Sequence, residues 1–367
     1  MRVQVVDPSA FTPPYDHALC AALGRAGAEV ELVTSRFAYG GAPVPVGYTL
    51  RELFYRHARG AAGSRRRLAL KLAEHVPGML ACRRHAEVAD VVHFQWLAVP
   101  WLDAWLLPPP PVVLTAHDLL PREPRPGQAG AQRRLYDAVD AVVVHSEYGR
   151  HRLMEDLSVD PGKVHVIPHG SFTQLTHQAG ERLLPDQLAH ARAPVVLFFG
   201  LLRPYKGIET LLEAWREVDG AELWIVGRPR MPLEPLRAAA PPGVRFVPRF
   251  VSDAELTACF RRADVVVLPY SRTERFDHSG VLATALGFGK AIVLTDIGGM
   301  GEVAGTGAAR LVAPDDPHAL RDALAELIAD PPARERLAAG ARAAAAGPYS
   351  WERAARLTLA LYERLLG

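Results

Sequence analysis

Arg203 and Lys206 stand three residues apart in GLLRPYKG (200–207), directly after the apolar run PVVLFF (194–199) and before a helical pattern from Gly207. Arginine offers a planar fork of donors and lysine a compact point charge, so such a pair at the carboxyl end of a strand suits a diphosphate. Only four of the 42 basic residues are lysines (Lys71, Lys163, Lys206 and Lys290), so a lysine in this loop stands out. A second feature lies in FDHSGVLATALGFGKAIVLTD (276–296), where Ser279-Gly280 opens an apolar helix pattern. A helix starting there leaves the N–H groups of Gly280, Val281 and Leu282 without intrahelical partners, and with the helix dipole they favour an anion. Taken singly, the two cations are ordinary loop charges and Ser279 an ordinary cap. Together they describe one phosphate site.

Other chemistries are excluded by what is missing. The first strand–helix turn reads DPSAFTPPYDH and has no G-x-G-x-x-G. There is no G-x-x-x-x-G-K-[ST], no Asp-x-Asp and no H-E-x-x-H, so neither a P-loop nor a metal site is expected. Cys20, Cys82 and Cys259 are far apart and fit reduced core or surface thiols of a cytoplasmic protein. His117 ends an apolar strand and is a functional candidate. His145 and His169 also end strands, with function and structure equally weighted, whereas His93 lies inside a strand and reads as core. Trp96, Trp101 and Trp105 could stack on a ligand, but core packing is expected of at least two.

These residues need a scaffold. Apolar strand runs at 3–7, 29–35, 90–96, 111–118, 141–146 and 164–170 alternate with helical patterns. The alternation lapses between 173 and 193 and restarts with runs at 194–200, 221–227, 244–248, 263–269 and 291–296. The expected fold class is α/β, with two doubly wound Rossmann-like domains facing across a cleft. Residues 1–172 form the first domain, 173–193 a linker, 194–347 the second domain, and 348–367 a helix crossing back to the first domain. The N-terminus reads as a strand and not a leader, and no apolar run reaches the ~18 residues of a membrane helix. The stretch 56–85 is strongly basic. A solvated helix face is the plainer account of it, and contact with an anionic membrane the sharper one. The net charge of +2 gives no footprint for nucleic acid.

The motifs G-x-x-R-P-Y-K-G, L-W-I-V-G, A-D-V-V-V-L-P-Y, S-G-V-L-A-T-A-L-G-F-G-K-A-I-V and D-I-G-G-M-G-E-V resemble the donor half of family 4 glycosyltransferases, of the GT-B fold. V-V-L-T-A-H-D, V-I-P-H-G and the helix opening at Trp351 extend the resemblance over nearly the whole chain. It implies a retaining transfer of a hexose-type sugar from a nucleoside-diphosphate sugar, UDP before GDP, with the donor held by the second domain, the acceptor by the first, no cofactor and no metal. Arg203 and Lys206 match the phosphate-binding pair, beside Ser279, Gly280 and Val281. Gly227 matches a loop near the nucleoside, Phe250 and Val251 belong to the base-facing segment, and His117 matches a histidine near the donor sugar.

The departures from the family pattern are local. Two glutamates eight apart are common around this helix, and here those positions are Phe276 and Thr284. Thr284 is left as a weaker ribose contact. Glu274 stands in for the first glutamate, with Asp277 and His278 as rivals for the sugar. Pro13-Pro14 replace a glycine-rich loop, so Tyr15, Asp16 and His17 open the first helix toward the acceptor. The acceptor is unnamed, with lipid, natural product and saccharide all open. Two rival readings are a catalytically silent GT-B protein and another GT-B enzyme, such as a sugar-nucleotide epimerase or a phosphorylase.

Overall fold

The computed structural model describes residues 1–37, 43–58, 64–120, 126–177, 184–191, 194–273 and 278–367. The chain forms two compact units. Met1–Gly170 with Trp351–Gly367 makes the first, and Ser171–Ser350 the second.

The first unit runs β1 (Arg2–Asp7), α1 (Pro13–Arg25), β2 (Glu29–Ser35), β3 (Thr49–Phe54), α2 (Arg65–His85), β4 (Val91–Phe94), α3 (Pro100–Leu106), β5 (Val112–Thr115), α4 (Gln128–Ala138), β6 (Ala141–Val144), α5 (Glu147–Glu155) and β7 (Val164–Val166). Its parallel sheet has the order β3-β2-β1-β4-β5-β6-β7, so the winding reverses between β1 and β4.

The second unit runs β8 (Val195–Phe199), α6 (Ile208–Trp215), β9 (Glu222–Val226), α7 (Glu234–Ala239), β10 (Val244–Val247), α8 (Asp253–Arg262), β11 (Val265–Leu268), α9 (Gly280–Gly287), β12 (Ala291–Thr295), α10 (Met300–Ala304), β13 (Arg310–Val312), α11 (Pro317–Ala329) and α12 (Pro331–Ala346). Its order is β10-β9-β8-β11-β12-β13, with the reversal between β8 and β11. The final helix, α13 (Trp351–Leu366), belongs to the first unit.

The continuous apolar runs are explained by burial on both faces. In β8, Val195 and Leu197 enter one core of the second unit while Val196 and Phe198 enter the other. Successive side chains of a strand point to opposite faces, so a strand covered on both sides must be apolar throughout. Each such side chain contributes roughly 1.5–3 kcal/mol by leaving water. The short strands β3 and β13 escape the sequence pattern because most of their residues are exposed at sheet edges.

Two expectations change. Residues 173–177 and 184–191, read as linker, carry short turns whose buried Leu175 and Leu188 pack into the second unit. Trp101 and Trp105 are not core: they are 62% and 81% exposed, while Trp96 is half-buried. All three cysteines are buried and free. α13 is held to the first unit by Trp351, which sits so close over Gly170 that any side chain there would collide with the indole. The Tyr362 hydroxyl bonds His93 Nδ1 at 2.6 Å, and Arg25 pairs with Glu352 at 3.1 Å.

Candidate active site

In the second unit the loop after β8 lies where the strand order reverses, the place where open α/β sheets bind ligands. This loop keeps pairing beyond the strand: Leu202 N–H donates to the Arg228 carbonyl, and Arg230 N–H to that of Leu202. Arg203 follows in extended conformation, and Pro204–Lys206 make one tight turn. Gly207 ends the turn at φ 68°, and a Cβ there would lie 1.8 Å from the Pro269 carbonyl oxygen, so only glycine fits. Ser271 N–H then donates to the Tyr205 carbonyl at 2.9 Å, pinning the loop after β8 to the loop after β11. Gly227, after β9, has φ 150° and a Cβ position 1.8 Å from the Gly200 carbonyl oxygen, so its missing side chain lets two strand ends meet.

The Lys206 ammonium is buried and donates to the Tyr270 hydroxyl, which lies 3.0 Å from Ser279 Oγ. A polar line thus runs from Lys206 through Tyr270 to the first turn of α9. The Ser279 hydroxyl is turned along this line and does not cap the helix, while Gly280 is exposed. Val281 packs its side chain toward Gly200. Beside Lys206 in the same loop, Arg203 Nε is buried with no hydrogen-bond partner among the described residues. A buried donor left unmade is costly and is relieved by an acceptor ligand. The predicted Arg203, Lys206, Ser279, Gly280 and Val281 are therefore brought to one sheet end. Tyr270, which joins them, was missed; its position directly after the strand run 263–269 was the available signal.

Other predicted residues of this unit fare differently. Thr284 is buried and its hydroxyl donates to the Gly280 carbonyl at 2.8 Å, so it serves its own helix and is a poor ribose contact. Val251 is a core residue and Phe250, 54% exposed, is the one of the pair open to a ligand. His278 is buried, with its ring 6.2 Å from that of Tyr349. Glu274 and Asp277 lie outside the described residues.

At the corresponding sheet end of the first unit, β5, β6 and β7 each lead to a histidine: His117, His145 and His169. Tyr15 of α1 sits among them, its ring 4.6 Å from His117, 4.8 Å from His169 and 5.0 Å from Trp351. Trp96 stacks on His117 at 5.0 Å. Burial lowers the His145 pKa to about 4, so this ring is neutral. Its Nδ1 donates to the Ile167 carbonyl at 3.0 Å, leaving Nε2 to accept from His117 Nδ1 at 3.2 Å. His117 Nε2 lies 3.1 Å from Gln95 Oε1. His145 and Gln95 thereby hold the half-buried His117 ring at both nitrogens, an arrangement that three strands ending in histidine hint at in the sequence. His93 is the core histidine expected, bonded to Tyr362 and Thr115 and lowered to about 3 by burial.

Tyr15, Asp16 and His17, expected to face the acceptor, are all buried. Tyr15 is packed inside the aromatic cluster, where burial pushes its phenol well up. Asp16 pairs with buried Asp7, and burial together with the Asp7 charge raises its carboxyl well above the usual range. Asp7 accepts from the N–H groups of Ser9, Phe11 and Thr12 and so is the ionised partner. His17 bonds the Tyr48 hydroxyl and is lowered to about 4 by burial. Asp16 and His17 line a small open cleft together with Pro13, Thr34 and Glu52.

Comparison with known proteins turns this geometry into a family. Residues 15–174 match the model Glycosyltransferase Family 4, and residues 193–330 match Glycosyl transferases group 1. The D-inositol 3-phosphate glycosyltransferase of Kineococcus radiotolerans is 31% identical, over 94% of this chain and 88% of its own. The chain belongs to glycosyltransferase family 4. Among solved structures, this glycosyltransferase superposes on sucrose-phosphate synthase of Thermosynechococcus elongatus with a TM-score of 0.76 at 20% identity, covering 100% and 99% of the two chains. It also superposes on Anabaena Alr3699/HepE, solved in complex with UDP-glucose, at 0.75 and 18% identity, covering 99% and 100%. The fold is GT-B and the enzyme is a transferase of glycosyl groups.

Proposed function

We propose that this glycosyltransferase moves a hexose-type sugar from a nucleoside-diphosphate sugar, UDP-linked before GDP-linked, to its acceptor with retention at the anomeric carbon. The diphosphate lies on Arg203, Lys206 and the first turn of α9. Their charge and donors stabilise the leaving group as it departs, and its oxygen takes the acceptor proton. No step runs through a metal. Phe250 and the Gly227 turn face the nucleoside, and His117 of the first unit is assigned to the reacting sugar. The enzyme works in the cytoplasm. The observation that carries this reading is the buried, unpartnered Arg203 Nε beside the Lys206–Tyr270–Ser279 line at the strand-order reversal. The preference for UDP draws support from the UDP-glucose bound by the Anabaena protein.

Titration calorimetry with UDP and GDP, on the native enzyme and on the Arg203→Ala/Lys206→Ala variant, tests it. Micromolar binding of UDP that vanishes in the variant is expected. Preferential binding of GDP would overturn the base assignment, and binding unchanged in the variant would overturn the phosphate site. Binding of neither nucleotide would favour the silent GT-B reading.

A further inference from the structure

On the surface of the first unit, α2 exposes what a solvated helix normally hides. Its inward side is His75, Met79 and Cys82. On the outward side Leu68, Leu72, Val76 and Leu80 recur every four residues, at 59%, 58%, 36% and 40% exposure. Residues four apart lie one above another on a helix, so these make a continuous apolar row along most of α2. Arg65 and Arg66 stand exposed at one end of the row, Arg83 and Arg84 at the other. The helix holds one carboxylate, Glu74, which is turned inward to accept from His57 N–H at 3.1 Å. The neighbouring α3 is tied to α2 by the buried pair His75 Nε2–Asp103 Oδ1 at 2.6 Å. Asp103 fills its inward side, and Trp101 and Trp105, two residues to either side, are the exposed indoles already described.

We infer that this face docks the enzyme on an anionic lipid surface. Leucines and indoles enter the boundary between headgroups and chains, where an amphipathic helix lies flat and tryptophan is favoured. The arginines at both ends then reach lipid phosphates, and no exposed carboxylate on the helix opposes them. Charge is what selects this occupant: a protein groove could accept the leucines, but a row bracketed by arginines at both ends complements a surface that is negative everywhere. The inference concerns where the enzyme sits and does not rest on its donor.

The test is flotation of the full chain with vesicles of phosphatidylcholine alone and of phosphatidylcholine containing phosphatidylglycerol. Binding to the anionic vesicles, weakened by salt, is expected. Leu68→Ser/Leu72→Ser and Arg65→Glu/Arg66→Glu should each lower the partition coefficient about tenfold or more, and Trp105→Ser by less. Circular dichroism and the melting temperature establish that these surface variants fold. Absence of binding to anionic vesicles, or equal binding by all variants, overturns the inference. So does concentration-dependent dimerisation lost in Leu68→Ser/Leu72→Ser without vesicle binding, which would make a second copy the occupant. Nucleotide binding without vesicle binding would defeat this inference alone.

Discussion

The two units end their sheets in opposite ways. In the second, the groups gathered at the strand-order reversal are cationic, with a buried Arg203 Nε unspent inside the protein and a helix start its own serine does not cap. In the first, the groups at the sheet end are mostly rings packed on one another: His145 holds His117, Tyr15 fills the space between rings, and Trp351 closes it. The difference separates binding from positioning. Hydrogen bonds left unmade are available to a ligand, whereas those already made hold geometry and stability.

This contrast can be broken by substitution. The largest effect is expected from Arg203→Ala/Lys206→Ala, which should weaken nucleotide binding about a hundredfold, since each charge-assisted contact carries on the order of tenfold. The melting temperature should stay near that of the native enzyme. A variant that unfolds instead would mean these cations hold the fold. Next, His117→Ala should lower kcat by roughly tenfold to a hundredfold with nucleotide affinity little changed. Lost nucleotide affinity would move His117 to another role.

Acid sharpens the comparison because buried titrating groups concentrate in the first unit. His93, His145 and His17 are held neutral, with pKa values of about 3, 4 and 4, below those of the unfolded chain. The unfolded chain therefore binds protons that the fold refuses, and stability falls as pH drops from about 6.5 toward 4, by ~1.4 kcal/mol per pH unit for each fully buried histidine. Asp16 acts with the opposite sign, because its raised carboxyl keeps a proton in the fold that the unfolded chain releases. Denaturant unfolding across this range should show a shallower slope for His93→Gln and a steeper one for Asp16→Asn. Slopes equal to that of the native chain would mean these groups titrate as they do in water. The smallest effect is expected from Thr284→Val, which should leave nucleotide affinity within about twofold, since the hydroxyl it removes bonds its own helix. A loss well beyond that would restore Thr284 as a ribose contact.

Much of this was legible in the chain because some features are local. Strands buried on both faces must be apolar throughout, so both sheets could be read, except at their exposed edges β3 and β13. Arg203, Lys206 and Ser279-Gly280 were legible because loops after strands collect at one end of a parallel sheet, and sequence order alone says which loops those are. Which side chains in those loops are free is not a local property. Thr284 and Val251 face inward, Tyr15 and His17 are buried by neighbours distant in sequence, and Trp101 and Trp105 face outward because Asp103 takes the inward position on their helix. Residue type and spacing determined the fold class, the two sheets and the cationic loop. Only the tertiary structure decided which hydrogen bonds were already spent, because a donor's availability depends on partners that folding brings from elsewhere in the chain.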